Sequence, residues 1–373
     1  YPILEHDMLA KFAVTNFRGF EKRIELDLTQ PRDYAFNSFA VKNGIIKNGI
    51  IYGPNGCGKS NFGLAIFDIV YHLTQKFKNP NYLLNYAFAG AQSKLVTFEY
   101  TFNFNGQIVE YVYSKDSRAV LREEKLTVDS KLVFEKRIGT IEIDDSIFPM
   151  EKNIRNNLAH NANNVSIINF LITTYPLDES NCLIKLQDFV NSMLWFRSLE
   201  EKEFIGLETG IYILDEYIIR HDYIKEFSAF LEKVSGQHFE FVKPVQGEKL
   251  LRVYIKGFPQ IFNTIASTGT HALTLLFFWF KHLENASFVF IDEFDAFYHF
   301  KLSFDVCDEL FKKNCQLFVS SHNTFLMTND LLRPDCNFVL KDNKITSLCN
   351  ATDKELREGH NIEKLYRGGA FDL

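Results

Sequence analysis

Apolar and polar residues alternate over two stretches near the start of the chain, residues 9–17 and 22–28. Because successive side chains of a strand point to opposite faces, this alternation predicts two half-buried strands. The segment Asn16–Phe20 between them predicts a turn. An apolar stretch at 45–52 then predicts a buried strand, which leads into a glycine-rich turn and a helix from Lys59 to about Lys76.

Alternation returns over residues 94–136 and predicts an antiparallel meander of three or four strands. Asn105-Gly106 separates the first two of these strands and is a strong hairpin pattern. Residues 150–235 lose the alternation and predict an inserted helical subdomain.

Strands alternate with helices again from residue 239, a pattern typical of a parallel sheet with helical cover. The chain therefore divides into an N-terminal lobe (9–149), the helical insert (150–235) and a C-terminal lobe (236–373). The strands expected in the last lobe are 239–242, 251–255, 287–291, 316–320 and 337–340, with a helix at 268–283.

Composition excludes few classes of protein. The chain has 373 residues, 46% of them hydrophobic, which is enough for a large globular core. A net charge of -6 argues weakly against a protein that coats nucleic acid, although a local basic patch is compatible with it. We expect no membrane span, since no apolar run of about 18 residues exists, and reduced cysteines in a cytoplasmic protein. We also expect Met8 to be the native first residue.

The segment Gly53–Ser60 fits the phosphate-binding pattern G-x-x-x-x-G-K-[ST] at every position. Glycines let the backbone N–H groups approach the phosphates, and the following helix adds its positive end. Lys59 is expected to reach the β and γ oxygens of ATP, and Ser60 to offer its hydroxyl to Mg²⁺. The residues expected to bind nucleotide here are Gly53, Asn55, Gly56, Gly58, Lys59, Ser60 and Asn61.

The apolar run Phe288–Ile291 ends in two carboxylates, Asp292 and Glu293. An acidic residue at the carboxyl end of a neighbouring strand reaches Mg²⁺ in P-loop proteins, so Asp292 is the predicted metal ligand. Glu293 is the predicted general base, because it can polarise a water without binding the metal. Surface acids that merely end a strand are the simpler alternative.

Other motifs complete the pattern. His322 follows the apolar strand at 316–320 and is predicted to contact the γ-phosphate, although an isolated histidine there would more often be a loop residue. The small residues at Ser267–Thr270 open the helix at 268–283. They either cap that helix or form a second anion site, which would then serve a partner's nucleotide.

In this order, Gly53–Ser60, Ser267–Thr270, Asp292-Glu293, Asp295 and His322 resemble the Walker A, signature, Walker B, D-loop and switch-histidine motifs of ABC-type ATPases. The opening Phe12–Phe20 resembles the RecF/SMC/Rad50 branch, which implies that Arg18 lies beside the nucleotide. The chain is most similar to the short AAA_15/AAA_21 group of OLD-like ATPases, which includes the PARIS and Septu ATPase subunits, and its ending at 360–369 is similar too. The resemblance implies an α/β P-loop NTPase of ABC type with a mixed core sheet, an antiparallel meander and a helical insert.

The departures from those families are informative. The signature Ser-Thr-Gly-Thr differs from LSGGQ of transporters. We expect neither long coiled-coil arms nor a Toprim domain after His322. Gln92 and Gln107 are the weak candidates for the glutamine that senses the γ-phosphate. Any nuclease would therefore come from a partner, such as a Toprim or HNH protein.

The leading hypothesis is a defence ATPase that forms a dimer or larger homo-oligomer around ATP, with Ser267, Gly269 and Asp295 facing the partner's nucleotide, and controls a separate effector. The alternative is a RecF-like DNA clamp with a basic groove formed by Lys243, Lys249, Arg252 and Lys256. A kinase or GTPase is disfavoured, because Leu340-Lys341-Asp342 only approaches a guanine-specifying motif.

Overall fold

The computed structural model describes residues 7–74, 76, 80–161, 165–197, 204–206 and 214–373. Three predictions fall largely outside the described residues. They concern the residues before Met8, the end of the helix predicted to reach Lys76, and part of the insert. The strands are β1 (Asp7–Thr15), β2 (Ile24–Asp27), β3 (Val41–Lys42), β4 (Ile45–Ile46), β5 (Asn48–Tyr52), β6 (Val96–Phe104), β7 (Gln107–Lys115), β8 (Leu121–Val128), β9 (Lys131–Arg137), β10 (Thr140–Ile143), β11 (Leu194–Arg197), β12 (Phe204–Gly206), β13 (Arg252–Ile255), β14 (Phe258–Ile261), β15 (Phe288–Asp292), β16 (Gln316–Ser321), β17 (Asn337–Lys341) and β18 (Lys344–Ser347).

The helices vary in length from single turns to the long, buried helix that precedes β15. They are α1 (Lys59–Ile66), α2 (Asp68–Leu73), α3 (Lys152–Asn161), α4 (Ile167–Thr174), α5 (Cys182–Asn191), α6 (Leu214–Arg220), α7 (Ile224–Ser235), α8 (Phe262–Ile265), α9 (Thr268–His282), α10 (Phe300–Phe311) and α11 (Ile362–Arg367). Within the part of the chain described above, no helix has both the length and the apolar character needed to cross a bilayer.

The strands form two large sheets. One is an antiparallel, seven-stranded sheet in the order β10-β9-β8-β7-β6-β1-β2, which contains the predicted meander. The other, which we call the core sheet, has seven strands in the order β12-β11-β15-β16-β5-β17-β18. Its central strands β11, β15, β16, β5 and β17 are parallel, with an antiparallel strand at each edge. The predicted mixed α/β architecture is therefore confirmed.

Helix α1 lies between the two sheets. Phe62 packs edge-on against Phe12 of β1, with ring centroids 5.5 Å apart, and the Tyr100 hydroxyl of β6 donates to the carbonyls of Ala65 and Ile66. On its other side the helix touches β15, where a Cβ on Gly63 would come within 2.6 Å of the Phe290 ring. Glycine is therefore the residue that permits this close approach.

Several predicted elements differ from those in the structure. The helix expected to continue to Lys76 breaks at Phe67, which separates α1 from α2. The strand expected at 239–242 is only an isolated bridge between Phe241 and Val253.

The prediction of helices alone for 150–235 is wrong at β11, which pairs in parallel with β15 inside the core sheet. A run of four residues is too short to show which period it follows, so burial within the sheet decides its conformation. The division of the chain into lobes at 150 and 235 stays a prediction.

A buried ion pair links α2 to the antiparallel sheet. Asp68 and Lys115 have side chains 0% and 2% exposed and lie 2.6 Å apart. The Asp68 carboxylate also accepts hydrogen bonds from the hydroxyls of Tyr82, Tyr86 and Tyr113. Burial lowers the pKa of Lys115, while the Asp68 carboxylate opposes that change. The cluster is stable because the two charges are paired and hydrogen-bonded.

Replacing Asp68 by Asn should strongly destabilise the fold, because Lys115 would keep a buried charge without its partner. We expect the free energy of unfolding to fall by about 3–5 kcal/mol, measured by urea denaturation at neutral pH. The control is Glu135→Gln, which removes partly exposed pairs with Arg137 and Lys125 in the same sheet and should cost less than about 1 kcal/mol. Equal effects of the two substitutions would contradict this assignment.

Candidate functional site

The phosphate-binding loop joins the fully buried strand β5 to helix α1. Pro54, Asn55 and Gly56 of the loop are exposed, whereas Lys59 is buried. Helix α1 begins at Lys59, and its N-cap residue, Gly58, provides no side-chain cap in the described structure. The first N–H groups of a helix have no partner within it, so an uncapped start is suited to bind an anion.

Close neighbours or a positive φ favour glycine at three positions of the loop. Gly58 has φ +104°, and a Cβ there would lie 2.8 Å from the ring of Phe20. Gly56 has φ +77°, and a Cβ on Gly53 would approach the carbonyl oxygen of Leu340 to 2.5 Å. A side chain at Gly53 or Gly58 would therefore disturb both the loop and its neighbours.

Lys59 and His322 meet at the carbonyl of Gly53. The Lys59 ammonium donates to this oxygen at 2.8 Å and to that of Pro54 at 3.2 Å. Nδ1 of His322 lies 3.0 Å from the same Gly53 oxygen and 3.2 Å from Lys59 Nζ. Burial lowers the pKa of Lys59. The end of β16 thus brings the histidine to the phosphate loop, and its contact with the γ-phosphate stays a prediction.

Asp292 ends β15 and is completely buried. One of its carboxylate oxygens accepts a hydrogen bond from Ser320 Oγ at 2.7 Å. The other accepts one from Arg197 Nε at 2.9 Å. Neither Ser320 nor Arg197 was assigned a role from the sequence, and together they hold the predicted metal ligand from the two strands next to β15.

Glu293 has a left-handed backbone conformation, with φ 49°. Its N–H donates to the same Ser320 hydroxyl at 2.8 Å. Ser320 therefore ties the Asp292 carboxylate and the Glu293 backbone to the end of β16. Non-glycine residues with positive φ are uncommon and are often found at functional sites.

Asp295 accepts a hydrogen bond from Ser321 Oγ at 2.7 Å. Burial raises the pKa of the Asp295 carboxyl, and the bond from Ser321 partly offsets this. The hydroxyls of the Ser320-Ser321-His322 segment thus bond to Asp292 and Asp295 in turn. The signal for both serines was visible in the sequence, as two hydroxyls at the end of an apolar strand.

Arg18 lies next to the start of α1. Its guanidinium donates to Asn61 Oδ1 at 3.2 Å and to the carbonyl of Tyr82 at 3.0 Å. Arg18 has φ 48°, and burial lowers its pKa. The turn at Asn16–Phe20 therefore brings Arg18 to the helix that follows the phosphate loop.

Ser267 caps helix α9. Its Oγ accepts from the N–H of Thr270 at 3.2 Å and lies 2.9 Å from Thr270 Oγ1, which donates to Gln237. Ser267 and Thr268 are nevertheless exposed, and Gly269 is partly exposed. A Cβ on Gly269 would lie 3.5 Å from the carbonyl oxygen of Phe297, two residues after Asp295. The first turn of α9 thus borders the Asp295 loop of its own chain and opens to solvent.

Among the residues that the structure describes, neither glutamine candidate has a contact that connects it to the phosphate loop. Gln92 donates to the carbonyls of Ala87 and Phe88, within its own turn. Gln107 begins β7, just after the Asn105-Gly106 hairpin turn of the antiparallel sheet. The side chain found at the carboxyl end of the strand beside β15 is instead Arg197.

The chemistry of Ser60 and Asp292 suits Mg²⁺. This ion prefers oxygen ligands and commonly takes one or two protein groups, completing its shell with phosphate oxygens and water. A hydroxyl at the start of α1 and a carboxylate at the end of β15 are such groups. Among the described residues, no set of three or more His, Cys, Asp and Glu side chains is arranged to hold a metal ion.

A family model described as "AAA domain, putative AbiEii toxin, Type IV TA system" (AAA_21) matches residues 50–328. The match runs from the last residues of β5 past β16. No curated protein matches the chain.

Solved structures with a similar fold include SMC and RecF proteins. An SMC head bound to the C-terminal winged-helix domain of ScpA is 17% identical, with a TM-score of 0.48, and the match covers 91% of this chain and 97% of the other. The SMC head of Thermotoga maritima is 16% identical, with a TM-score of 0.45, over 91% and 97%. The recombination mediator RecF is 14% identical, with a TM-score of 0.40, over 93% and 100%.

Proposed function

Because the chain belongs to the AAA_21 family of AAA domains, we propose that it hydrolyses ATP as the ATPase subunit of a prokaryotic anti-phage defence system. Its fold is that of ABC-type P-loop ATPases, and it is an ATP-binding protein of this type. The family description, which names a toxin of a toxin–antitoxin system, supports the role in defence. A separate effector, such as a Toprim or HNH nuclease, would carry out the toxic reaction.

The observation that carries the proposal is the meeting of Lys59, Asp292, Glu293 and His322 at the carboxyl ends of the core strands. Lys59 and His322 share the Gly53 carbonyl, and Ser320 connects Asp292 with Glu293. Lys59 would bind the β- and γ-phosphates, His322 would contact the γ-phosphate, and Glu293 would accept a proton from the attacking water. Bound Mg²⁺, held by Ser60 and Asp292, would neutralise charge on the phosphates.

We further propose that two copies share each ATP molecule. The first turn of α9 is exposed and lined by small residues, as an anion site for a neighbour requires. The Ser267 hydroxyl is engaged in capping, so the N–H groups of Thr268 and Gly269 are the donors available to a phosphate. Asp295 lies in the adjacent loop, two residues before Phe297, whose carbonyl oxygen borders Gly269.

A second candidate function, a RecF-like clamp on DNA, is favoured by the surface around the hairpin β13–β14. Lys243, Lys249, Arg252 and Lys256 are exposed there, and so are the aromatic rings of Tyr254 and Phe258. Cations next to exposed aromatic rings suit single-stranded nucleic acid. Ion pairs of Arg252 with Glu248 and of Lys249 with Glu216 reduce the free positive charge of this surface.

Mixing two inactive variants should restore activity if the site is shared. Lys59→Met removes the phosphate-binding ammonium, and Gly269→Asp places a negative charge where the partner's phosphate would lie. An aspartate suits the first turn of a helix, so the second variant should fold normally. Each variant alone should lose at least about a hundredfold in phosphate release. In an equal mixture about a quarter of the sites are intact, and activity should reappear.

The control for this experiment is Gly359→Asp, since Gly359 has open space around it and should tolerate the change. A mixture as inactive as its components would show that each site lies within one chain. Activity of Gly269→Asp alone would contradict any role of α9 in the site.

Replacing Glu293 by Gln should separate ATP binding from hydrolysis, because the amide keeps the shape of the carboxylate but cannot accept the proton. We expect a long-lived, ATP-bound dimer or larger assembly in native mass spectrometry. Cells that carry this variant together with the proposed effector should lose protection, so that phage plaque counts return to those of unprotected cells. Full protection by Glu293→Gln, or an ATP-bound monomer, would argue against the proposal.

The clamp hypothesis predicts DNA binding that weakens steeply with salt in the absence of any partner protein. The double variant Lys243→Glu, Lys256→Glu should then bind DNA less tightly and lower the slope of log affinity against log salt by about 2. Lys131→Glu with Lys344→Glu, two exposed lysines on other strands, is the control. Equal binding by both double variants would exclude this surface.

A further inference from the structure

The pairing of Arg197 with Asp292 has no role in the function proposed above. The two residues are partners in the parallel register of β11 and β15. The guanidinium Nε lies 2.9 Å from one carboxylate oxygen, and Ser320 occupies the other oxygen. The carboxylate side chain is 0% exposed, whereas that of Arg197 is 27% exposed. The arginine is therefore the partner with access to solvent.

A guanidinium and Mg²⁺ would compete for the Asp292 carboxylate. Arginine stays protonated at any physiological pH, so its positive charge is permanent. Magnesium binds oxygens at about 2.0–2.1 Å and tolerates little departure from octahedral geometry. A second cation on the same buried carboxylate is repelled, since little water screens charges there. Occupation of Asp292 by Arg197 should therefore weaken Mg²⁺ binding.

We propose that Arg197 is a positioning residue that competes with Mg²⁺ for Asp292, so that nucleotide binding with its metal displaces the guanidinium from the carboxylate. In the absence of metal, Arg197 neutralises a buried charge that would otherwise destabilise the core sheet. This inference rests on the proposed function, because it concerns the magnesium site of the same ATPase.

Displacement of Arg197 would affect the packing of other parts of the chain through strand β11. The preceding residue, Phe196, stacks on Trp279 of α9, with ring centroids 5.1 Å apart. The guanidinium also lies 5.8 Å from the ring centroid of Trp195. Strand β11 therefore contacts both the metal-binding carboxylate and the helix whose first turn is proposed to bind the partner's nucleotide.

The test measures binding of a fluorescent ATP analogue during a Mg²⁺ titration of the full chain. Arg197→Ala should move the Mg²⁺ midpoint to a lower concentration, by about tenfold, since mutually exclusive binding couples the two cations at Asp292. Without Mg²⁺ the same variant should melt at a lower temperature than the wild type. The control is Arg137→Ala, which removes an exposed arginine paired with Glu135 and should change neither quantity.

Two further variants serve as controls for loss of folding and for indirect effects on the Mg²⁺ midpoint. Arg197→Gln keeps a hydrogen-bond donor without the charge and should also lower the Mg²⁺ midpoint. In a protein that already carries Asp292→Asn, Arg197→Ala should no longer lower the Mg²⁺ midpoint, because the ligand for which the two cations compete is gone. A purely structural role for Arg197 would lower the melting temperature and leave the midpoint unchanged.

The outcomes distinguish this inference from the function on which it rests. If the wild type binds the analogue with Mg²⁺, and the midpoint is the same or higher in Arg197→Ala and Arg197→Gln, competition at Asp292 is refuted while the ATPase proposal stands. If the wild type binds no nucleotide at any Mg²⁺ concentration, both fail.

Discussion

The close packing of helix α1 between the two sheets is the constraint on which the site depends. The helix begins at the phosphate loop, so its position sets where the loop, Lys59 and Ser60 lie. Gly63 lets it approach Phe290 of β15, the strand that ends in Asp292. Aromatic rings of the antiparallel sheet hold it from the other side. Because interiors are close-packed, a shift of this helix would move the phosphate loop relative to the carboxylates.

Two hydroxyl groups at the end of β16 hold the acidic side chains of the site in position. Ser320 and Ser321 end β16, which lies between β15 and β5 in the core sheet. Their side chains bond to Asp292 at the end of β15 and to Asp295 in the loop after it, and the next residue, His322, reaches the loop after β5. The end of β16 thus connects the acidic residues at and after the end of β15 with the phosphate loop. A buried carboxylate without such donors would be costly in free energy, so the contacts both stabilise and orient it.

The two helix starts near the site differ in a way that matters for function. Helix α1 has no side-chain cap, whereas α9 is capped by Ser267. An uncapped start leaves its N–H groups for an anion, and a capped start is already satisfied in part. The structural and functional interpretations of Ser267–Thr270 are therefore compatible. The cap holds the turn, and the exposed small residues leave room for a ligand.

Local sequence alone determined the parts of this protein in which neighbouring residues specify the geometry. The phosphate loop, the hairpin at Asn105-Gly106 and the alternating strand β6 were all predicted, because glycine conformation and side-chain alternation act over a few residues. The order of motifs also indicated the family before any contact was known.

Only the tertiary structure decided the pairings between distant segments. Arg197 and Asp292 are 95 residues apart, and Asp68 and Lys115 are 47 apart. Strand β11 was hidden in a segment expected to be helical, because four apolar-rich residues carry no clear period and become a strand only beside β15. The break at Phe67 likewise occurs without a proline to mark it in the sequence. Such features depend on which surfaces meet in the folded chain, and that information is not local.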